Sequence, residues 1–351
     1  MKNVALRGFV PFWYQVVLFV LTVILSTFFM ARVKNRFTAK ETYDRLSMQQ
    51  PVQYVPDASK NIVTVGMYLH HFSSFNVLKD DFVADLIIWF EYDPHKTLES
   101  SIKKFIFENG SILHKDLIKT ERHGSLVRSY YAVKVSFKTM LNYKDFPLDD
   151  HRVSLILMNL HDRNLFFKTS ETSFTYSKKL FFAGWGWKVL GSSAANSFVA
   201  EEVNGLQNDP SYRQQRIIFS IDCMRQDIRH VLSILFPIFL ILFILLFCFS
   251  LNTDDWYDVQ GRANSQHAQT LIALILFAVS TLISYRFVIE SISPDVDYFM
   301  LSDYLFFLLL AIILVVFILI IQPYKITVPV KMMIMAGIYA SIVLTIWGIP
   351  G

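Results

Sequence analysis

The stretch AQTLIALILFAVSTLISYRFVIESI, residues 268–292, decides how this chain is read. Leu, Ile, Val, Phe and Ala fill most of it. Yet Gln269 or Thr270, Ala273, Phe277, Ser280, Ser284 and Ser291 recur at steps of three, four and seven. That spacing puts them on one side of an α-helix. A hydrocarbon core of about 30 Å needs roughly 20 apolar residues, and the stretch supplies them. Lipid offers a hydroxyl no partner, so a polar stripe in such a span faces water or other polar helices. It is either the wall of a pore or a hydrogen-bonded contact between packed helices. Phe277 is a constriction in the first reading and a packing residue in the second.

Three further spans, 231–251, 304–322 and 330–349, are almost wholly apolar. Residues 229–351 are therefore expected to form four transmembrane helices, the second carrying the stripe. A chain that is 53% hydrophobic and only 18% charged fits a membrane protein. Phe9 to Ala31 makes one more span. Lys2 and Arg7 ahead of an apolar run fit a signal peptide. The run is long, however, and Met30-Ala31-Arg32-Val33 offers no small-residue cleavage site. Residues 1–34 are thus a signal-anchor or signal-peptide helix, and both forms export the domain behind it. Arg32, Lys34, Arg36 and Lys40 after the span argue for the opposite sidedness, by a rule that weakens for long translocated domains. A net charge of +4 without a Lys/Arg run gives no reason to expect nucleic acid.

Between these spans, residues 35–228 hold most of the charge and suffice for one globular domain. Alternation marks its strands. Val63, Val65, Met67 and Leu69 point one way, with Thr64, Gly66 and Tyr68 opposite. Phe82, Ala84, Leu86, Ile88 and Phe90 repeat the pattern, as do Val127, Tyr131, Val133, Val135 and Phe137. Residues 153–157 and 217–223 come next, with Ile217, Phe219, Ile221 and Cys223 in the last. Turn clusters at Glu108-Asn109-Gly110 and Asn208-Asp209-Pro210 separate the runs, which predicts an antiparallel β-sandwich. Residues 96–107 read equally as a short helix or a strand. His70 and His71 flank an alternation, one at an edge and one on a face. Cys223 lies before the first span of the last third and Cys248 within it, so a disulfide between them is not expected. An exported domain without disulfides suits a bacterial periplasm better than an animal cell surface.

A sandwich followed by four spans, the second polar-striped, resembles the pentameric ligand-gated ion channels, in their bacterial form. Asn142-Tyr143-Lys144-Asp145-Phe146-Pro147-Leu148-Asp149 is similar to that family's Phe-Pro-Phe-Asp loop, with Leu148 in place of the second Phe. Arg225, twelve residues ahead of Pro237, resembles the arginine and mid-helix proline before and within the first span. Pro294, Tyr298 and Asp303 match the loop after the pore helix, and Gly184-Trp185 resembles a Gly-Trp pair of the sandwich. The likeness runs over about 60–349. Departures are the missing paired cysteines, no Trp-x-Pro near 100–110, and a long Leu251–Arg262 linker carrying Asp254, Asp255 and Asp258. Gln269 stands where cation-passing members carry an acid.

The resemblance implies a homo-oligomer, a pentamer, in the inner (plasma) membrane, with the sandwich on the periplasmic or extracellular side. The sandwich senses a small ligand or a proton, and inorganic ions pass a pore lined by Gln269, Ala273, Phe277, Ser280 and Ser284. Coupling falls to Phe146, Pro147, Asp149 and Arg225 on one side and to Pro294, Tyr298 and Asp303 on the other. Tyr176, Trp185, Trp187 and Tyr212 are either an aromatic pocket for a cationic ligand or sandwich core. No cofactor is implied. A non-conducting sensor with the same fold is the competing reading, favoured by the long linker and the missing ligand-face motif. No nucleophile–base pair, phosphate loop or metal-ligand spacing suggests an enzyme.

Overall fold

The computed structural model describes residues 61–159, 162, 164–177, 186–200, 213–225, 228–250, 265–321 and 328–348, with Val17, Val20, Leu21 and Ile24. The rest of the expected first span, the Leu251–Arg262 linker, the Asn208-Asp209-Pro210 turn, Gly184, Trp185 and Tyr212 lie outside the described residues. Two compact units divide the chain. One includes Tyr143–Leu148 and Asp227–Gly351; the other joins Phe37–Asn142 to Asp149–Gln226.

The second unit is a β-sandwich. Its strands are β1 (Asn61–Asn76), β2 (Asp81–Tyr92), β3 (Ile106–Phe107), β4 (Gly110–His123), β5 (Leu126–Lys138), β6 (Asp150–Met158), β7 (Leu165–Lys168), β8 (Phe174–Tyr176), β9 (Trp187–Ala200) and β10 (Arg213–Arg225). They form one sheet in the order β7-β1-β2-β5-β4-β3-β6-β10-β9, with β8 also on β1. β7 and β8 run parallel to β1, and the other pairs are antiparallel. Strict alternation along β2 sends Phe82, Ala84, Leu86, Ile88 and Phe90 inward, where Phe72, Phe75, Phe105, Phe137 and Phe167 meet them.

The ends of this sheet are closed by side-chain amides. Gln215 of β10 accepts from Phe167 N at 2.7 Å and donates to its carbonyl. Asn196 of β9 does the same for Thr169, at 2.9 and 3.0 Å. Each carboxamide thus supplies the donor and acceptor that a neighbouring strand would offer, and so satisfies an edge. At the β3–β4 turn, Asn109 donates to Ser154 and Lys138 carbonyls and accepts from Ile156 N, which ties β5 to β6. Gly110 has no room for a side chain there: a Cβ would lie 2.8 Å from that of Phe137.

All five strands expected from alternation are present, though Val127 is only half-buried. Residues 96–107 hold both alternatives, a one-turn helix at Glu99–Ile102 and then β3. β4 and β9 carry no alternating signal. β4 is exposed along most of its length, so no face selects apolar residues. The two histidines are not split between edge and face. A register shift between Leu69 and His71 leaves both exposed, with His71 3.1 Å from Asp85.

Among the described residues from 228 onward, the other unit holds the helices α1 (Ile228–Ser250), α2 (Ser265–Ile292), α3 (Leu301–Ile321) and α4 (Val328–Gly348). α2 packs on α1 and α3, and α4 on α3 and α1. Among the described residues two stretches are long and apolar enough to cross a membrane, Gln269–Ile292 and Leu301–Leu319; Ser233–Cys248 and Met333–Thr345 are apolar but shorter. Pro237 sits inside α1 and has no N–H for the Ser233 carbonyl four residues back. Tyr285 of α2 answers this. Its hydroxyl donates to the Ile234 carbonyl and lies 3.4 Å from that of Ser233. Cys223 and Cys248 are both buried and are not joined by a disulfide.

Candidate functional site

In the sandwich, the β6–β10–β9 ladder lines up a row of polar side chains. His151 pairs with Cys223 and Asp150 with Met224, so the next step sets Asp149 opposite Arg225; Arg225 in turn pairs with Trp187. Arg225 grips the Asp149 carboxylate with two hydrogen bonds, Nε to Oδ1 at 2.9 Å and Nη2 to Oδ2 at 3.0 Å. His151 Nε2 stands 2.8 Å from the same Oδ2. The guanidinium lies 4.5 Å over the Trp187 ring, and the His151 ring is 5.2 Å from it. Asp149 and His151 are 0% and 1% exposed, Arg225 11%. Burial, the largest influence, opposes ionisation of Asp149. The Arg225 charge and the hydrogen bonds from His151 and Arg225 together outweigh it and hold the carboxyl well below the usual range.

The helical unit holds the Tyr143–Leu148 segment by its backbone. Tyr143 N donates to Tyr298 Oη at 2.9 Å, Leu301 N to the Lys144 carbonyl at 2.8 Å, and Ser302 N to the Phe146 carbonyl at 3.2 Å. Tyr143 and Phe146 are buried, and the Phe146–Pro147 peptide is cis. Pro294 is also buried. Asp303, at the third position of α3, accepts from Met300 N at 2.8 Å and so caps the helix. It also pairs with Arg286 of α2, whose guanidinium lies 5.7 Å from the Phe306 ring. Phe146, Tyr298 and Asp303 therefore share one unit, and Asp149 and Arg225 meet in the other. Asp149 directly follows the held segment in sequence, and Arg225 comes two residues before Asp227, where the helical unit resumes.

On α2, Leu271, Ile275, Ala278, Leu282, Tyr285 and Ile289 are buried. Gln269, Ala273, Phe277, Ser280 and Ser284 all lie on the exposed face, together with Thr270 and Ser291. Of the aromatic-pocket residues, Trp187 is buried beneath Arg225 and against Phe75, and Tyr176 is half-buried in β8.

Sequence reasoning passes over His151, Tyr285 and Arg286. His151 follows Asp149 at the i+2 spacing that shares a strand face, which is a usable signal. Tyr285 and Arg286 lie within the striped span but off its stripe. An arginine in an apolar helix asks for an acid nearby, and Asp303 is already a candidate. No protein-family model and no curated protein matches the chain.

Proposed function

We propose that this chain is one subunit of a membrane ion channel built like the pentameric ligand-gated family, with α2 lining the pore. The observation that carries this is the split of α2: its apolar side is buried against α1 and α3, while the face carrying Gln269, Ser280 and Ser284 is left open. A single helix cannot enclose water, so symmetry supplies the other walls, and the number five comes from the family likeness. In this reading all four helices cross the membrane, the N-terminal span anchors or exports the chain, and the sandwich lies outside the cytoplasm. Phe299, just before α3, and Tyr304 and Phe307 in its first turns are exposed and meet edge to face, which suits the headgroup level where aromatic side chains collect. The sandwich receives the stimulus and shifts the Asp149–Arg225 pair, which acts on α1 through the chain that follows Arg225.

Cysteine scanning of α2 in membranes tests the pore reading. Aqueous thiol reagents are expected to label positions 273, 277, 280 and 284. Labelling at 275, 279 and 282 instead, or uniformly, rejects it. A non-conducting sensor is the second reading, favoured by the bulk of Leu276, Phe277, Ile283 and Phe287 on the same open side. Single-channel recording from reconstituted protein separates the two.

A further inference from the structure

The buried side of α2 is formed by Leu271, Ile275, Ala278, Leu282, Tyr285 and Ile289, and of these six only Tyr285 carries a polar group. It is 7% exposed, and its hydroxyl reaches the turn of α1 at which Pro237 breaks the backbone ladder. We propose that Tyr285 is the residue that positions the striped helix, by giving this turn of α1 the donor that Pro237 lacks. The hydroxyl donates to the Ile234 carbonyl, and Ile234 is fully buried. That bond alone makes the clasp. The Ser233 carbonyl, to which Pro237 offers no N–H, adds a second acceptor at 3.4 Å. A buried hydroxyl released from its acceptor is left unsatisfied, so the two helices separate at a cost here that an apolar contact does not impose.

Arg286 gives the clasp a second side. Its guanidinium pairs with Asp303 of α3. Consecutive residues stand about 100° apart around a helix, so one turn of α2 is fastened to α1 by Tyr285 and to α3 by Arg286. Ser284 directly precedes this turn. Gln269 lies sixteen residues before Tyr285, about 24 Å along the axis. Movement of α2 against its neighbours therefore turns about the level of Tyr285 and Arg286: Ser284 stays in place and Gln269 travels. That such a movement opens a pore rests on the channel reading above. The clasp itself does not.

A double-mutant cycle between Tyr285→Phe and Pro237→Ala, on the full chain reconstituted in lipid vesicles, tests the clasp. Alanine returns an N–H to the Ser233 carbonyl and closes the turn, so the phenol is needed less. With Pro237 in place, Tyr285→Phe is expected to lower the thermal unfolding midpoint of the helices. It is also expected to change the open–closed equilibrium about fivefold, the worth of one net hydrogen bond. With Pro237→Ala both changes should largely disappear. Equal changes in the two backgrounds, or none in either, mean that the phenol only fills space, and they overturn the proposal. If Pro237→Ala does not fold, rescue decides. Replacing Tyr285 by 4-aminophenylalanine keeps a donor and should restore the native midpoint, whereas 4-methoxyphenylalanine should not. An amine that fails to restore it, or an ether that does, overturns the proposal equally. The thermal midpoints need no current. A silent protein whose midpoints follow this pattern sinks the channel and keeps the clasp. A conducting protein in which Tyr285→Phe costs the same in both backgrounds does the reverse.

Discussion

Asp149 in the sandwich and Asp303 in the helical unit are each nearly inaccessible, each bound to an arginine with some contact with solvent, and each arginine lies over an aromatic ring. They part at the third partner. Asp149 faces an imidazole; Asp303 faces the N–H of Met300 and closes the first turn of α3. A backbone N–H is always a donor, so the second pair is a fixed fastening. An imidazole nitrogen donates to the carboxylate in only one tautomer, which makes the first pair conditional. Exposure separates them as well: Arg225 is 11% exposed and Arg286 32%, so the first guanidinium carries more of the desolvation cost and depends more on its acid.

The largest effect expected from this contrast comes from removing each arginine. Arg225→Met leaves a carboxylate with no exposed surface its bond to His151 but removes its arginine, a loss of about 3–5 kcal/mol. Arg286→Met leaves Asp303 its capping bond and nearby solvent, and the cost falls to about 1–3 kcal/mol. Denaturant unfolding of each variant, followed by a signal local to its unit, measures both. Equal losses erase the distinction between fixed and conditional pairs.

Acid provides the next test. The folded carboxyl of Asp149 holds its proton less tightly than an unfolded one. The unfolded chain therefore binds protons first as pH falls. Stability from this group is fully present above the unfolded value of about 3.9 and drains away as pH drops toward the folded one. Each unit of depression is worth about 1.4 kcal/mol. Stability measured between about pH 4 and pH 2 should fall less steeply in Asp149→Asn than in the native chain. An unchanged slope means that other carboxylates carry the acid response.

How much of this is readable beforehand depends on the surroundings of each residue. β2 and β5 announce themselves because one side is core and the other is not. β4 is hidden because most of it is exposed, and β9 because Gly191-Ser192-Ser193-Ala194-Ala195-Asn196 packs small and polar groups. The Asp149–Arg225 pair is legible only through the family likeness: 76 positions separate the two, and no local pattern joins them. Asn196 and Gln215 carry no signal at all, since a carboxamide in a strand reads the same whether it points to water or closes a sheet.

A double-mutant cycle sharpens the conditional pair further. On the channel reading, Asp149→Asn and Arg225→Gln each shift the stimulus needed for opening, and single-channel conductance stays unchanged because neither residue lies on α2. Coupling between sites is typically about 1–3 kcal/mol. Their combined effect on gating free energy should fall short of the sum by a comparable amount, since either change alone already breaks the pair. Strict additivity removes the junction from the mechanism.

The smallest expected effect lies with the rings. Trp187 and Phe306 each cover one face of an arginine, at 4.5 and 5.7 Å. Cation–π attraction is strongest for tryptophan and grows with desolvation, from about 0.5–1 kcal/mol at exposed sites to about 2 kcal/mol in dry ones. Trp187→Leu also removes packing against Phe75, so its raw cost overstates the ring–cation part. The useful quantity is a coupling energy: Trp187→Leu combined with Arg225→Met, against Phe306→Leu combined with Arg286→Met. The first should be larger, because Trp187 is buried and Arg225 is held directly above it. It should also shrink in Asp149→Asn, where the guanidinium is no longer fixed over the ring. The second should not respond to that substitution, because Asp149 has no part in holding Arg286. If both couplings are equal and indifferent to Asp149, the tryptophan is only filling space beside the Arg225 guanidinium.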